Sequence, residues 1–297
     1  MTEVTAPRVD WVLGTGRCGS TLVHEVLCRH PDIAFLSNLE DRSAALGPTG
    51  RLNRVVYDRL PEALTRKGRV RFAPSEGYRA LEREVSPTIV DPMRDLTAAD
   101  ATPWLVDRLR GFFARRADGQ GRRFVHKLTG WPRAGLLAVA FPEARFVHVV
   151  RDGRAVANSW LQMEWWRGHR GPSAWHFGPL PPDLEEEWLA HDRSFVVLAG
   201  LAWRLLMDAY DAAAAAVGAD RWLEVRYEDV VAEPRRELGR VLAFLGVDDD
   251  ARFDQRVGGS SFRTGRTQAF RRDLTHEQVA ALDAVLGAHL RARGYAV

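Results

Sequence analysis

Val9-Asp-Trp-Val-Leu-Gly-Thr-Gly-Arg-Cys-Gly-Ser-Thr21, continuing as Leu22-Val-His-Glu-Val-Leu27, is the stretch whose reading decides the fold. A short, mostly apolar run over residues 9–13 ends in glycines, which predicts a buried strand entering a turn. Residues 20–29 then read as a helix, with Leu22, Val23, Val26 and Leu27 on one face and His30-Pro31 as the stop. A strand, a glycine turn and a helix in direct succession bring backbone N–H groups and the positive end of a helix dipole to one point. Ser20 and Thr21 add hydroxyl donors and Arg17 adds a fixed positive charge, so the loop suits phosphate or sulfate.

The pattern repeats outward from this junction. Residues 33–36, 123–127, 145–150 and 222–227 are further strand candidates, and helical patterns cover 134–140, 155–163, 187–217 and 237–245. Strands alternating with helices imply a parallel sheet covered on both faces. The expected fold class is α/β: one domain over residues 1–297, a P-loop-like parallel sheet of about five strands flanked by helices. Residues 51–121 are rich in arginine and carry Pro61, Pro74, Pro87, Pro92 and Pro103, which predicts a helical and loop insertion. Thr275-x-x-Gln278 has the form of a capping box opening a last helix through Val279, Leu282, Leu286 and Leu290.

Composition narrows the class. With 42 basic and 39 acidic residues the net charge is only +3, which does not suggest a nucleic-acid partner but fits local basic pockets for an anionic ligand. The two cysteines, Cys18 and Cys28, are too few for a disulfide framework. No run approaches the roughly 18 apolar residues of a membrane span, and residues 1–8 lack a signal-peptide pattern, so the expected location is cytoplasmic.

Three ligand chemistries compete for the first loop. Gly14-x-Gly16-x-x-Gly19 spells a dinucleotide fingerprint, with Glu40 or Asp41 about where the ribose-binding acid belongs. A nucleoside-triphosphatase loop needs a lysine where Ser20 stands. The third possibility places the cation inside the loop, at Arg17. A second junction separates them. In Val149-Val-Arg-Asp-Gly-Arg-Ala-Val-Ala-Asn-Ser159, Arg151 ends a strand, Asp152 is a candidate N-cap and Ser159 lies about two turns along the helix. Arg151 and Ser159 are candidates for a second oxygen-rich group at the same sheet edge.

The two junctions together resemble the sulfotransferase superfamily that uses 3'-phosphoadenosine-5'-phosphosulfate (PAPS). Arg17-Cys18-Gly19-Ser20-Thr21 is similar to the family's 5'-phosphosulfate loop, and Arg151 with Ser159 to its 3'-phosphate motif. The wording Val150-Arg-Asp-Gly-Arg154 resembles the tyrosylprotein and bacterial branch more than the cytosolic phenol and steroid branch. His30-Pro31-Asp32, Phe141-Pro-Glu-Ala-Arg-Phe146, Arg226-Tyr-Glu-Asp-Val230 and Phe244-Leu-Gly246 extend the likeness over residues 9–247. The resemblance implies transfer of a sulfuryl group from PAPS to a hydroxyl or amine of a small-molecule acceptor, with 3',5'-adenosine bisphosphate (PAP) as product, and it implies Tyr227 near the nucleotide. It also implies Lys127 as the lysine that steadies the transferring group without a metal. The cytosolic branch places a histidine where this chain has Thr129, whereas Leu39-Glu-Asp-Arg42 resembles the tyrosylprotein branch's glutamate after the His-Pro break, which implies a carboxylate base at Glu40, with Asp41 behind it and His126 as a further candidate. Residues 256–274, through Ser260, Arg266 and Arg271, are expected to close over the nucleotide. Residues 160–190, rich in tryptophan, either wall an acceptor pocket or pack the core. The rivals are a dinucleotide-binding oxidoreductase and a non-catalytic nucleotide-binding module.

Overall fold

Trp11, Val12 and Leu13 are almost wholly buried, and a strand covered on both faces belongs in the middle of a parallel sheet. That is where it lies. The computed structural model describes residues 8–46, 48, 50–60, 64, 72–117, 122–259, 262 and 266–297. Within them, strands β1 (Val9–Gly14), β2 (Ile33–Ala34), β3 (Arg123–Thr129), β4 (Phe146–Val150) and β5 (Trp222–Arg226) form one parallel sheet in the order β2-β3-β1-β4-β5. The expected single α/β sheet of about five strands is borne out.

The strand order fixes where a ligand can sit. After β1 the chain turns toward β2, and after β4 it turns toward β5, yet β1 and β4 are neighbours in the sheet. Connections diverging from adjacent strands open a crevice at their carboxyl ends. Helix α1 (Ser20–Leu27) leaves β1 there, and the helix Gly153–Leu161 leaves β4 there. Between Leu36 and Gly121 the described chain is helix and loop, beginning with α2 (Asn38–Arg42) and including Tyr78–Glu84 and Pro103–Ala114. Among the described residues no helix is long and apolar enough to cross a membrane.

Two local expectations need correction. The pattern over 187–217 is two helices, Pro182–Ala190 and Phe195–Val217. Asp192 and Arg193 break it in left-handed conformations, φ 52° and 55°, and the Ser194 hydroxyl then caps the second helix by accepting from Val197 N. The strand expected over 33–36 pairs with β3 only through Ile33 and Ala34. Phe35 and Leu36 give their carbonyls instead to Asn53 Nδ2 and Ser75 N in the inserted region. The capping box at Thr275 and Gln278 forms as expected.

Candidate active site

Hydrogen-bonding geometry at the end of β1 follows from three successive reversals of backbone handedness. Gly16, Arg17 and Gly19 all have positive φ, 79°, 58° and 99°. A left-handed arginine is costly, of order 1–3 kcal/mol, and persists where its surroundings over-determine it. Here both of its ends are held. Its carbonyl accepts from Arg151 Nη1 at 3.1 Å, and its Nε donates to Ser159 Oγ at 2.9 Å. Cys18 is buried beneath the loop, so it offers any ligand backbone rather than side chain. Gly19 is the N-cap of α1 and provides no side-chain cap, and Ser20 and Thr21 begin the helix.

The second junction is built by the same logic. Asp152 caps the helix Gly153–Leu161 by accepting from Arg154 N, and its carboxylate pairs with the Arg154 guanidinium at 2.7 Å. Arg151 is thereby held at the strand end. Besides Arg17, it bonds the carbonyl of Arg266 at 2.6 Å, and its guanidinium carbon lies 4.8 Å from the centre of the Tyr227 ring. Its Nε is buried with no hydrogen-bond partner. The Tyr227 ring also presses on the first loop: a Cβ added to Gly19 would stand 2.1 Å from its Cδ2. The two corners therefore touch, through Arg17 with Ser159, Arg151 with Arg17, and Tyr227 with Gly19.

Gly19→Ala is expected to destabilise this contact by both clash and strain. The substitution should lower thermal stability and weaken nucleotide affinity by about 5- to 150-fold, the factor to which ~1–3 kcal/mol of backbone strain corresponds. Calorimetric titration with 3',5'-adenosine bisphosphate checks it, and unaltered affinity would contradict the packing described.

Charge accumulates at the meeting point. Desolvation, then the fields of Arg266 and Arg151, lower the pKa of the Arg17 guanidinium. Arg271 lies a turn further on, bonded to Gln268 and facing a cavity of about 400 Å³ that Arg154, Arg226 and Tyr295 also line. Ser260 falls outside the described residues.

A third group of side chains stands across the loop, on β3. Lys127 is buried and donates to Thr21 Oγ1 at 2.7 Å and to Glu76 Oε1 at 2.8 Å. Thr129 Oγ1 donates to the same Glu76 oxygen at 3.1 Å. The Tyr78 hydroxyl accepts from Thr129 N at 2.9 Å. Burial and then the Glu76 charge push its pKa up to about 12, so it stays protonated. Nothing in sequence spacing singles out Glu76, which reaches Lys127 only because the inserted region folds back over the sheet edge.

The carboxylates and histidine expected as bases are elsewhere. Glu40 is enclosed with Arg116 in an ion pair of 2.6 Å, each side chain 1% exposed. Its short helix, α2, turns it into the insertion rather than toward the loop. Asp41 accepts from Ala80 N at 3.0 Å and from Ser75 Oγ at 3.5 Å, which ties down the segment that carries Glu76. His126 points to the opposite face of β3 from Lys127. It lies edge-on to Trp11 and Phe113, and burial, then His24, holds its pKa well below the usual histidine range. The structure brings none of these three to the loop. Of the aromatic segment, Trp160, Trp166, Trp175 and Phe177 are buried against one another, and Trp165 is exposed.

Comparison with known proteins agrees with this architecture. The model of the sulfotransferase family matches residues 11–251, and the chain belongs to that family. Its function is accordingly sulfuryl transfer, as the resemblance implied. Sulfotransferase STF9 from Mycobacterium avium superposes with a TM-score of 0.59 at 15% identity, covering 98% of this chain and 78% of that one. Sulfotransferase STF1 from Mycobacterium tuberculosis H37Rv gives 0.54 at 16% identity, covering 95% and 78%. The sulfotransferase domain from the curacin biosynthetic pathway gives 0.51 at 13% identity, covering 95% and 98%. At such identities the likeness is one of fold. No curated protein matches the sequence.

Proposed function

We propose that this chain transfers the sulfuryl group of PAPS to a hydroxyl or amine of a small-molecule acceptor, releasing PAP. The observation that carries the reading is the contact between the two strand-to-helix corners, Arg17 on Ser159 and Arg151 on the Arg17 carbonyl. PAPS has two anionic arms on one nucleoside, and two cationic corners in contact are what such a donor requires. Its fit is supported by the buried Arg151 Nε with no partner and by the mutual repulsion of Arg17, Arg151 and Arg266, which an anion relieves. Gly16 supports it too, because an atom at its Cβ position would make only ordinary contacts, with Thr129 Cβ at 3.9 Å and Trp160 Nε1 at 4.0 Å.

In this reading the loop N–H groups of 16–21, Arg17 and the N-terminus of α1 hold the 5'-phosphosulfate. Arg151 and Ser159 hold the 3'-phosphate, with Arg266 and Arg271 closing from the C-terminal segment. Tyr227, fixed between Gly19 and Arg151, lies against the nucleoside. Lys127, 2.7 Å from Thr21 Oγ1 at the head of α1, stabilises the charge that develops as the sulfuryl group moves between oxygens. Bound PAPS supplies an activated sulfuryl group, and the chain supplies in-line placement and electrostatics.

The dinucleotide reading loses its ribose-binding acid, since Glu40 is paired with Arg116 and Asp41 with Ala80 and Ser75. Thermal-shift measurement with PAP, AMP, ATP and NADH tests the proposal. PAP is expected to stabilise the protein most, and AMP, which lacks the 3'-phosphate, markedly less. Equal or greater stabilisation by NADH would defeat the assignment.

A further inference from the structure

We infer that Glu76 is the general base of the transfer, and that the acceptor hydroxyl enters the space over Gly16, between Glu76 and Thr129 on one side and Trp160 on the other. The inference rests on the PAPS reading above and adds the residue and the place at which the acceptor loses its proton.

The geometry closes a ring around the loop. A Cβ on Gly16 would lie 3.9 Å from Thr129 Cβ and 4.0 Å from Trp160 Nε1, with nothing nearer. Those are ordinary contact distances, so the position above this left-handed glycine takes one heavy atom, the size of a hydroxyl oxygen, without a clash. Thr129 carries the ring to Glu76 at 3.1 Å, Glu76 to Lys127 at 2.8 Å, and Lys127 to Thr21 at 2.7 Å, back on the loop. The Glu76 side chain is 29% exposed, so it can be reached from solvent. Trp160 sits at the far wall, wholly buried, with its indole N–H unpartnered and facing the Gly16 position.

The other acid–base groups of this corner fail on placement. Glu40 is committed to Arg116, His126 is on the wrong face of β3, and the Tyr78 hydroxyl is already bonded to Thr129. Glu76 differs in having a partner that the reaction itself draws away. When charge shifts to the bridging oxygen of the leaving phosphate, Lys127 is pulled toward it, which leaves the Glu76 carboxylate to take a proton. The step balances: the acceptor O–H proton passes to Glu76, the acceptor oxygen bonds to sulfur, and the sulfur–oxygen bond to the 5'-phosphate breaks. PAP leaves with the electron pair.

The test pairs a reaction that needs a base with one that does not. Water attacking bound PAPS must lose a proton, whereas 4-nitrophenyl sulfate returning its sulfuryl group to PAP releases a phenolate that needs none. Glu76→Gln is expected to slow PAPS hydrolysis by roughly 10²–10⁴-fold while leaving the nitrophenyl exchange and PAP stabilisation within a small factor of wild type. A crystal of the wild-type PAP complex should show the Glu76 carboxylate facing the space over Gly16. If both reactions fall together, Glu76 merely positions Lys127 and the inference is overturned. It is equally overturned by undiminished hydrolysis, by wild-type hydrolysis no faster than in buffer, or by a Glu76 carboxylate turned away from the 5'-phosphate. Wild type that PAP does not stabilise sinks the donor reading instead, so the two failures are distinguishable.

Discussion

Arg151→Ala should weaken PAP binding by about 30- to 4000-fold while changing AMP affinity far less. The range corresponds to the ~2–5 kcal/mol typical of truncating one partner of a buried, hydrogen-bonded charge pair. The effect is expected at the high end because Arg151 does two jobs. It keeps a buried Nε without a partner, and it also fastens the loop by bonding the Arg17 carbonyl and the Arg266 carbonyl. Removal of the guanidinium takes a donor from the Arg17 carbonyl, leaves the Arg266 carbonyl only the long bond from Ala269 N at 3.5 Å, and takes the cation from the Tyr227 face. Arg151→Lys separates the roles: it retains a charge but cannot bridge two carbonyls with a planar fork. It should recover part of the phosphate attraction and little of the loop order. Calorimetric titration with PAP and with AMP decides the matter. If AMP loses affinity as steeply as PAP, Arg151 serves the 5' side or the fold in general, and its assignment to the 3'-phosphate fails.

What could be read from the sequence was whatever is encoded within one strand–turn–helix unit. The glycine loop from Gly14 to Thr21 and the Arg151–Ser159 junction each carry their strand, turn and helix in about 20 consecutive residues or fewer, so their form followed from periodicity, whereas their adjacency depends on the pairing of β1 with β4. Glu76 was invisible for the opposite reason. It reaches Lys127 across 51 residues, through an insertion fastened by Asp41 and by the Ser75–Leu36 backbone bond, and no period or spacing reports such a fold-back. Glu40 misled because the sequence offers a carboxylate near the family's position without disclosing that an arginine 76 residues later encloses it. Sequence names the ionisable group, but burial and partner decide what it does.

The Glu40–Arg116 pair is expected to be among the costliest contacts of the insertion to break. Both side chains are 1% exposed and their charged atoms are 2.6 Å apart. Arg116 also reaches Glu84 at 2.8 Å and the Phe112 carbonyl at 3.0 Å, with its guanidinium 3.7 Å from the Phe112 ring centre. Removing Arg116 leaves the Glu40 carboxylate buried without its cation, a loss of about 3–5 kcal/mol, whereas Arg116 without Glu40 keeps its pair with Glu84. Arg116→Ala should therefore lower the melting temperature by on the order of 10 °C, and Glu40→Ala by less. The double variant should lose much less than the sum, because neither charge is then stranded. This pattern also tells a structural carboxylate from a catalytic one. At a temperature where Glu40→Gln remains folded, it should bind PAP and turn over like wild type, while Glu76→Gln binds and does not turn over. Additive losses in the two alanine variants would mean the pair is not coupled. A folded Glu40→Gln that binds PAP but is inert would return the proton to Glu40, and the enclosure by Arg116 would then have to open during the reaction.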